Sequence, residues 1–273
     1  MGDGLDVAVV GALNVSPESF YSGSVVVDAD RLLQAGEAMA RAGAAWLDVG
    51  AMSTAPYLDA RVPEAVEADR LYWAVGLLTT KLDLPVSADV SRVGPARAAL
   101  EAGARIINDV TGLVGDPALA RLTAEAGAGL VLMAAPAAVP AAGQPAATVL
   151  AALERGLAIA RGAGIPDERI VLDPGIGFFR GGDVAWPDWD CRVLGGLPAL
   201  RALGRPLHVG VSRKSFIGAV AAVEDPAARL PGSLAAAAAA VLGGAHVIRA
   251  HDVPETVQAV RVAQAIRRAG ESR

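Results

Sequence analysis

The chain alternates short apolar segments with helix-period stretches eight times over, and no other feature limits its possible folds as strongly. The apolar segments fall at 7–14, 45–50, 85–90, 105–110, 129–133, 169–173, 207–212 and 246–251. Short, near-continuous Val/Ile/Leu runs are what strands buried on both faces look like. In the first intervening stretch Leu32, Ala35, Met39 and Ala40 share a face, Arg31, Glu37 and Arg41 lie elsewhere, and Gly43 can close the helix. The last stretch, 253–269, spaces Val257, Val260 and Ala263 by three and places Arg267 and Arg268 near its C-terminus. Strands alternating with helices of this length build βαβ units. Eight such units predict an α/β fold, the (β/α)8 TIM barrel, with 1–273 as a single domain. An open doubly wound sheet is the alternative, but no Gly-rich dinucleotide fingerprint follows the first segment.

Composition narrows the function. Hydrophobic residues make up 53% of the 273, enough for a large core, and the net charge of −5 argues against a general nucleic-acid binder. One cysteine, Cys191, excludes an internal disulfide framework and a cysteine metal cluster. Acids stand near the N-terminus where a signal peptide carries bases, and the apolar runs there and at 234–242 are too short for a bilayer. The expectation is a soluble, cytoplasmic protein without a membrane partner. Three connections stand out: a polar, Ser-rich stretch at 15–27 that could act as a lid, a Pro/Ala-rich stretch at 134–148, and a Gly-, acid- and aromatic-rich stretch at 179–190 holding Trp186 and Trp189.

Polar residues collect where the apolar segments end: Asn14, Asp48, Asp89, Asn108, Asp173, Lys214, Arg249 and His251. Each alone reads as a helix cap or turn former. A barrel, however, assembles its active site from several strand ends at one face, so together they point to one polar cavity. The segment 206–218 is the sharpest case, breaking from Leu207, Val209 and Val211 into Ser212, Arg213, Lys214 and Ser215. Three carboxylates, two carboxamides and a lysine suit a flat heterocycle. A guanidine-like edge would pair bidentately with a carboxylate such as Asp173. Arg249 with His251 would form a separate anion pocket.

The motifs LNVSPESF (13–20), LDVGAMSTAP (47–56), ADV (88–90), RIINDVTGL (105–113), LDPGIGF (172–178), SRKSFIG (212–218), RLPGSLA (229–235) and IRAHDV (248–253) follow one another along nearly the whole chain. In kind and order they resemble the pterin-binding barrel family, specifically the dihydropteroate synthases. The resemblance implies displacement of diphosphate from a hydroxymethyl-dihydropterin diphosphate by an arylamine. It implies that Asp89, Asn108, Asp173 and Lys214 hold the pterin, and that Arg249 and His251 bind the diphosphate. Asn14 would hold a Mg2+ ion that carries the diphosphate. Thr54, Pro56, Phe178 and Ser215 would frame the aminobenzene ring, with Asp48 supporting substrate binding. Lys214, Asp89, Arg249 and His251 are the expected catalytic residues, and the resemblance suggests a homodimer.

The chain departs from the family pattern in places. GAMSTAP stands where GGESTRP is usual, so Met52 and Ala55 replace a glutamate and an arginine; Ala134 and Ala135 replace a His-Met pair; Phe179 and Arg180 stand where a lysine usually follows GFG. These changes resemble an archaeal-type branch, whose arylamine carries a ribofuranosyl phosphate on the way to methanopterin rather than folate. Arg180 could then grip that phosphate. Two other readings compete: a pterin-dependent methyltransferase working with a corrinoid protein, and a non-catalytic pterin-binding protein. Methyl transfer releases no diphosphate and would not need Arg249 with His251, while retention of Asn14, Asp89 and Lys214 argues against loss of catalysis.

Overall fold

The computed structural model describes residues 2, 4–16, 28–54, 62–136 and 144–271. Residues 17–27 of the expected lid, Ala55, Pro56 and residues 137–143 of the Pro/Ala-rich connection lie outside the described residues. Eight strands are present: β1 Ala8–Asn14, β2 Trp46–Gly50, β3 Val86–Asp89, β4 Ile106–Asp109, β5 Gly129–Met133, β6 Ile170–Asp173, β7 His208–Gly210 and β8 Val247–Ala250. Each apolar segment of the sequence contains one of them. The helices are α1 Ala29–Arg41, α2 Glu64–Lys81, α3 Val93–Glu101, α4 Pro117–Glu125, α5 Pro145–Gly162, α6 Trp186–Gly195, α7 Leu197–Leu200, α8 Ser215–Ala221, α9 Leu230–Leu242 and α10 Val253–Glu271. Asp28 caps α1 by accepting from the Arg31 amide, and Asp116 caps α4 with Pro117 in the first turn. Among the described residues no helix is long and apolar enough to cross a membrane.

All ladders are parallel, in the order β6-β5-β4-β3-β2-β1-β8-β7. The sheet closes into the (β/α)8 barrel where β7 returns to β6, through a single bridge between Leu172 and Leu207 and a 2.9 Å bond from the Leu172 amide to the Pro206 carbonyl. This seam is thin because β7 is cut short. The chain already turns after Gly210, with the Lys214 amide donating back to the Val211 carbonyl at 3.3 Å.

Strand alternation sorts side chains between the barrel interior and the helices. Low in the barrel, Val10, Trp46, Val171 and Val247 form a small apolar cluster with Ala8 and Ile106 packed on it. Nearer the C-terminal strand ends the interior positions turn polar: Asp89 is in register with Asn108, Met133 with Asp173 and Gly210 with Arg249, while Asp48, in register with Ser87, lies two residues below the level of Asp89. The intervening residues, including Leu13, Leu47, Val49, Ile107, Leu132 and Leu172, join the main core beneath the helices. An apolar floor under a charged layer puts the polar residues at the C-terminal face, where barrel chemistry occurs.

Candidate active site

Above the charged layer opens a cavity of about 1010 Å³, counting solvent at its mouth. Asn14, Thr54, Asp89, Asn108, Asp173, Phe178, Arg180, Lys214, Ser215, Arg249 and His251 all line it, so residues from most strands of the barrel converge on one site. Pro56 lies outside the described residues. Asp48 departs from its expected place in substrate binding. It lies one layer down and fully buried, with Ser87 donating to Oδ1, and Asn108 at 3.0 Å and Arg249 at 2.6 Å donating to Oδ2. It therefore orients the two donors that do face the cavity.

Arg249 also reaches Asp89 Oδ2 at 3.1 Å, which makes a carboxylate–guanidinium–carboxylate row. Burial disfavours the charge on Arg249, but Asp48 and Asp89 outweigh it and hold the guanidinium above its ordinary value. Asp89 is the opposite case. Desolvation dominates there, Arg249 pulls back, Asp48 repels, and the carboxyl is pushed up to about 7. Its Oδ1 is buried with no hydrogen bond among the described residues.

Asp173 is held ionised. Its Oδ2 meets His208 Nδ1 at 2.8 Å and its Oδ1 accepts from the Gly175 amide at 2.8 Å. Burial pushes its carboxyl up, yet the His208 bond and the Lys214 ammonium overcome this and leave it below the usual range. The loop beyond Asp173 runs tightly. Gly175 has φ 71°, and a Cβ there would lie 2.4 Å from the Ala134 carbonyl oxygen, so only glycine fits beside the backbone at Ala134.

Lys214 projects into the cavity from a strained turn. Its neighbour Arg213 adopts a left-handed φ of 56°, a conformation that costs a non-glycine residue about 1–3 kcal/mol. The turn is held because the Arg213 guanidinium grips Asp252 bidentately at 2.8 and 2.7 Å and donates to the carbonyls of Pro226 and Ala227 at 2.9 and 2.6 Å. Its amide donates to Ser233 Oγ at 2.8 Å. Of the adjacent cations, then, one is a buried fastener and the other faces the site. Lys214 Nζ donates to the Ile176 carbonyl and lies 5.0 Å from the Phe178 ring centroid. Burial pushes its ammonium below the usual lysine range, against the pull of Asp173, Asp190 and Asp89.

His251 is a neutral imidazole. Burial and the nearby Arg249 charge bring it down to about 3. Ser212 Oγ accepts from the His251 amide at 3.2 Å and lies 2.9 Å from Nδ1. The hydroxyl therefore holds His251 at both its backbone amide and its Nδ1 edge. Asn14, the last residue of β1, presents its carboxamide to the cavity.

The rim explains two of the departures. Phe179 is buried against Trp189, with ring centroids 5.2 Å apart, and Arg180 lies 4.1 Å above Trp186. Arg180 donates to the Gly177 carbonyl at 3.0 Å and to Ser215 Oγ at 2.5 Å. The aromatic stretch at 179–190 thus builds the wall that carries Arg180. Met52 lines the cavity and accepts from Arg92 at 3.6 Å, while Arg92 pairs with the buried Glu67 at 2.6 Å. His208, Ser212, Asp190 and Trp186 also belong to the site; of these only His208, at an inward position of β7, and Ser212, just past the end of β7, carry a signal in the sequence.

The pterin binding enzyme family matches residues 10–251, nearly the whole barrel. The chain belongs to the pterin-binding enzymes, among the dihydropteroate synthases. It is similar to the dihydropteroate synthase of Mycobacterium leprae, with 40% identity over 97% of this chain and 95% of the relative. It is similar in structure to the Coxiella burnetii dihydropteroate synthase in complex with pteroic acid, with TM-score 0.87 and 32% identity over 97% and 94% of the two chains. The Xanthomonas albilineans dihydropteroate synthase with 4-aminobenzoic acid gives TM-score 0.86 and 36% identity over 96% and 93%. As a dihydropteroate synthase, this transferase serves folate biosynthesis.

Proposed function

We propose that the cavity joins 6-hydroxymethyl-7,8-dihydropterin diphosphate to p-aminobenzoate. The carrying observation is that the ionised Asp173, Asn108 and Lys214 converge on one cavity with Arg249, His251 and Asn14. In the reaction the bond from the pterin methylene to the diphosphate oxygen breaks, and the diphosphate leaves with the electron pair. The amine nitrogen bonds to the methylene and loses a proton.

Asp173, kept anionic by His208 and Lys214, suits the amino and ring N–H edge of the pterin. Asn108, fixed by Asp48, supplies the matching carboxamide. Asp89 in its ionised form stabilises positive charge developing at the methylene. On the leaving side Arg249 offers a fixed charge and His251 a neutral imidazole. Phe178 and Ser215 place the arylamine, with Arg180 near its carboxylate end.

Asn14 fits Mg2+ in one limited way. It is a single neutral oxygen donor, and among the described residues no cluster of three or more His, Cys, Asp or Glu side chains could hold a metal. Such a donor suits a hydrated ion that arrives with the diphosphate. When bound, Mg2+ supplies neutralisation of the leaving group's charge. The homodimer rests on the resemblance, and sedimentation tests it. The function is tested by mixing pterin diphosphate, p-aminobenzoate and Mg2+: stoichiometric diphosphate and dihydropteroate are expected, and no product overturns the reading.

A further inference from the structure

Asp190 lies on α6, outside every motif above, and is 1% exposed. Its Oδ1 accepts from the Gly177 amide at 2.8 Å. The Ile176 carbonyl accepts from Lys214 Nζ. These two groups belong to one peptide unit, which joins Ile176 to Gly177. One amide therefore lies between a carboxylate on its N–H side and an ammonium on its C=O side. Hydrogen bonds in such a chain polarise and strengthen one another. The loop also rests on the lysine stem, because a Cβ at Gly177 would stand 3.1 Å from Lys214 Cδ.

We infer that Asp190 is a positioning residue, which sets the direction and the charge of Lys214 through the Ile176–Gly177 peptide. The inference rests on the place given to Lys214 above and deepens it.

The alternative is a carboxylate that merely pins a turn. A carboxamide could accept from Gly177 equally well, without the cost of burying a charge. Asp190 bears that cost, and its Oδ2 is buried with no hydrogen-bond partner among the described residues. Desolvation raises the Asp190 carboxyl; the Gly177 amide, Lys214 and Arg180 draw it back. The groups facing Lys214 are Asp173 from β6, Asp89 from β3, Arg249 from β8 and Asp190 itself. Next to Asp190 on α6, Asp188 and the Cys191 thiol complete the charged and titratable surroundings, and burial with these acids raises the thiol.

The experiment compares wild type with Asp190→Asn, which keeps an acceptor for Gly177 but loses the charge. Loss of a nearby negative charge destabilises the ammonium. The alkaline limb of kcat/KM should therefore move down by about half a pH unit or more, with melting temperature little changed. Asp190→Ala should lose about tenfold in kcat as well, since the peptide is then unheld. A folded Asp190→Asn enzyme with an unshifted limb overturns the inference. A second measurement needs neither turnover nor a variant of Asp190. In the wild-type protein the Gly177 amide resonance should titrate together with the Lys214 side-chain nitrogen, identified by its loss in Lys214→Ala. A Gly177 resonance that ignores that titration overturns the inference, whereas an inactive enzyme with coupled resonances faults only the reaction assigned above.

Discussion

Asp173 and His208 stand on the two strands that close the barrel, and their side chains bond across the closure at 2.8 Å. The main chain supplies little there, so a buried side-chain pair joins β6 to β7. The same bond keeps Asp173 ionised for its ligand. His208→Ala should cost about 3–5 kcal/mol of stability, as when one partner of a buried pair is removed. It should also raise the KM for the pterin substrate. Denaturant unfolding and substrate titration check both, and a variant as stable as wild type contradicts the pairing.

Lys214→Ala should lower kcat by about a hundredfold or more, the scale of one positioned transition-state contact. Melting temperature should change little, because the turn is held by Arg213 rather than by Lys214. Wild-type kinetics in this variant would remove the lysine from the mechanism.

Asp89 gives the protein a pH signature. Its carboxyl has an ordinary value of 3.8 and rises to about 7 when folded. Between those values the folded state keeps a proton that the unfolded chain has released. Its contribution to stability is therefore complete below about pH 4 and is lost as pH rises through 7. Asp89→Asn should abolish this slope, worth roughly 2–4 kcal/mol across the window. Unfolding free energies of the two proteins from pH 4 to 8 decide it, and parallel curves would contradict the assignment.

Metal binding should depend on the diphosphate. With Asn14 as a lone protein ligand, calorimetry should show weak Mg2+ binding to the free protein and strong binding once diphosphate is added. Asn14→Ala should weaken only the second. Full turnover in excess chelator, or tight binding to the free protein, would argue against this site.

In the proposed reaction Arg180 bears on the choice of amine. It is held at the cavity rim by its bonds to Ser215 and Gly177. Arg180→Ala should raise the KM for p-aminobenzoate about tenfold, or about 1.4 kcal/mol, and leave that for the pterin unchanged. Competition between p-aminobenzoate and its ribofuranosyl phosphate derivative should favour p-aminobenzoate. A tenfold preference for the larger amine would instead support the methanopterin branch that the departures at Met52 and Ala55 first suggested.

The barrel could be read from the sequence because each strand is buried on both faces and appears as an apolar run. The charged layer could be read only in part. Asn108 and Asp109 are adjacent and equally polar, yet strand parity sends Asn108 inward, and Asp109 turns outward to accept from Thr111 and Leu113. A place near the end of an apolar segment pointed Asp48 toward the cavity without showing that it lies one layer deeper. His208 escaped notice among Leu207, Val209 and Val211, although a histidine at an inward position of such a run is a signal. No periodicity in the chain could have brought Asp190 or Trp186 to the site. Their contacts depend on how α6 packs over the loop after β6.

Arg213 in its left-handed turn has a practical consequence for anyone engineering the enzyme. Glycine would relax that backbone and would look attractive in a screen for heat resistance. The substitution would also delete the guanidinium that ties the turn to Asp252, Pro226 and Ala227. Relief of the backbone and loss of the anchor occur in one residue and cannot be separated by changing it. Position 213 is thus a place where a local ranking of residues by conformational preference points away from a working catalyst.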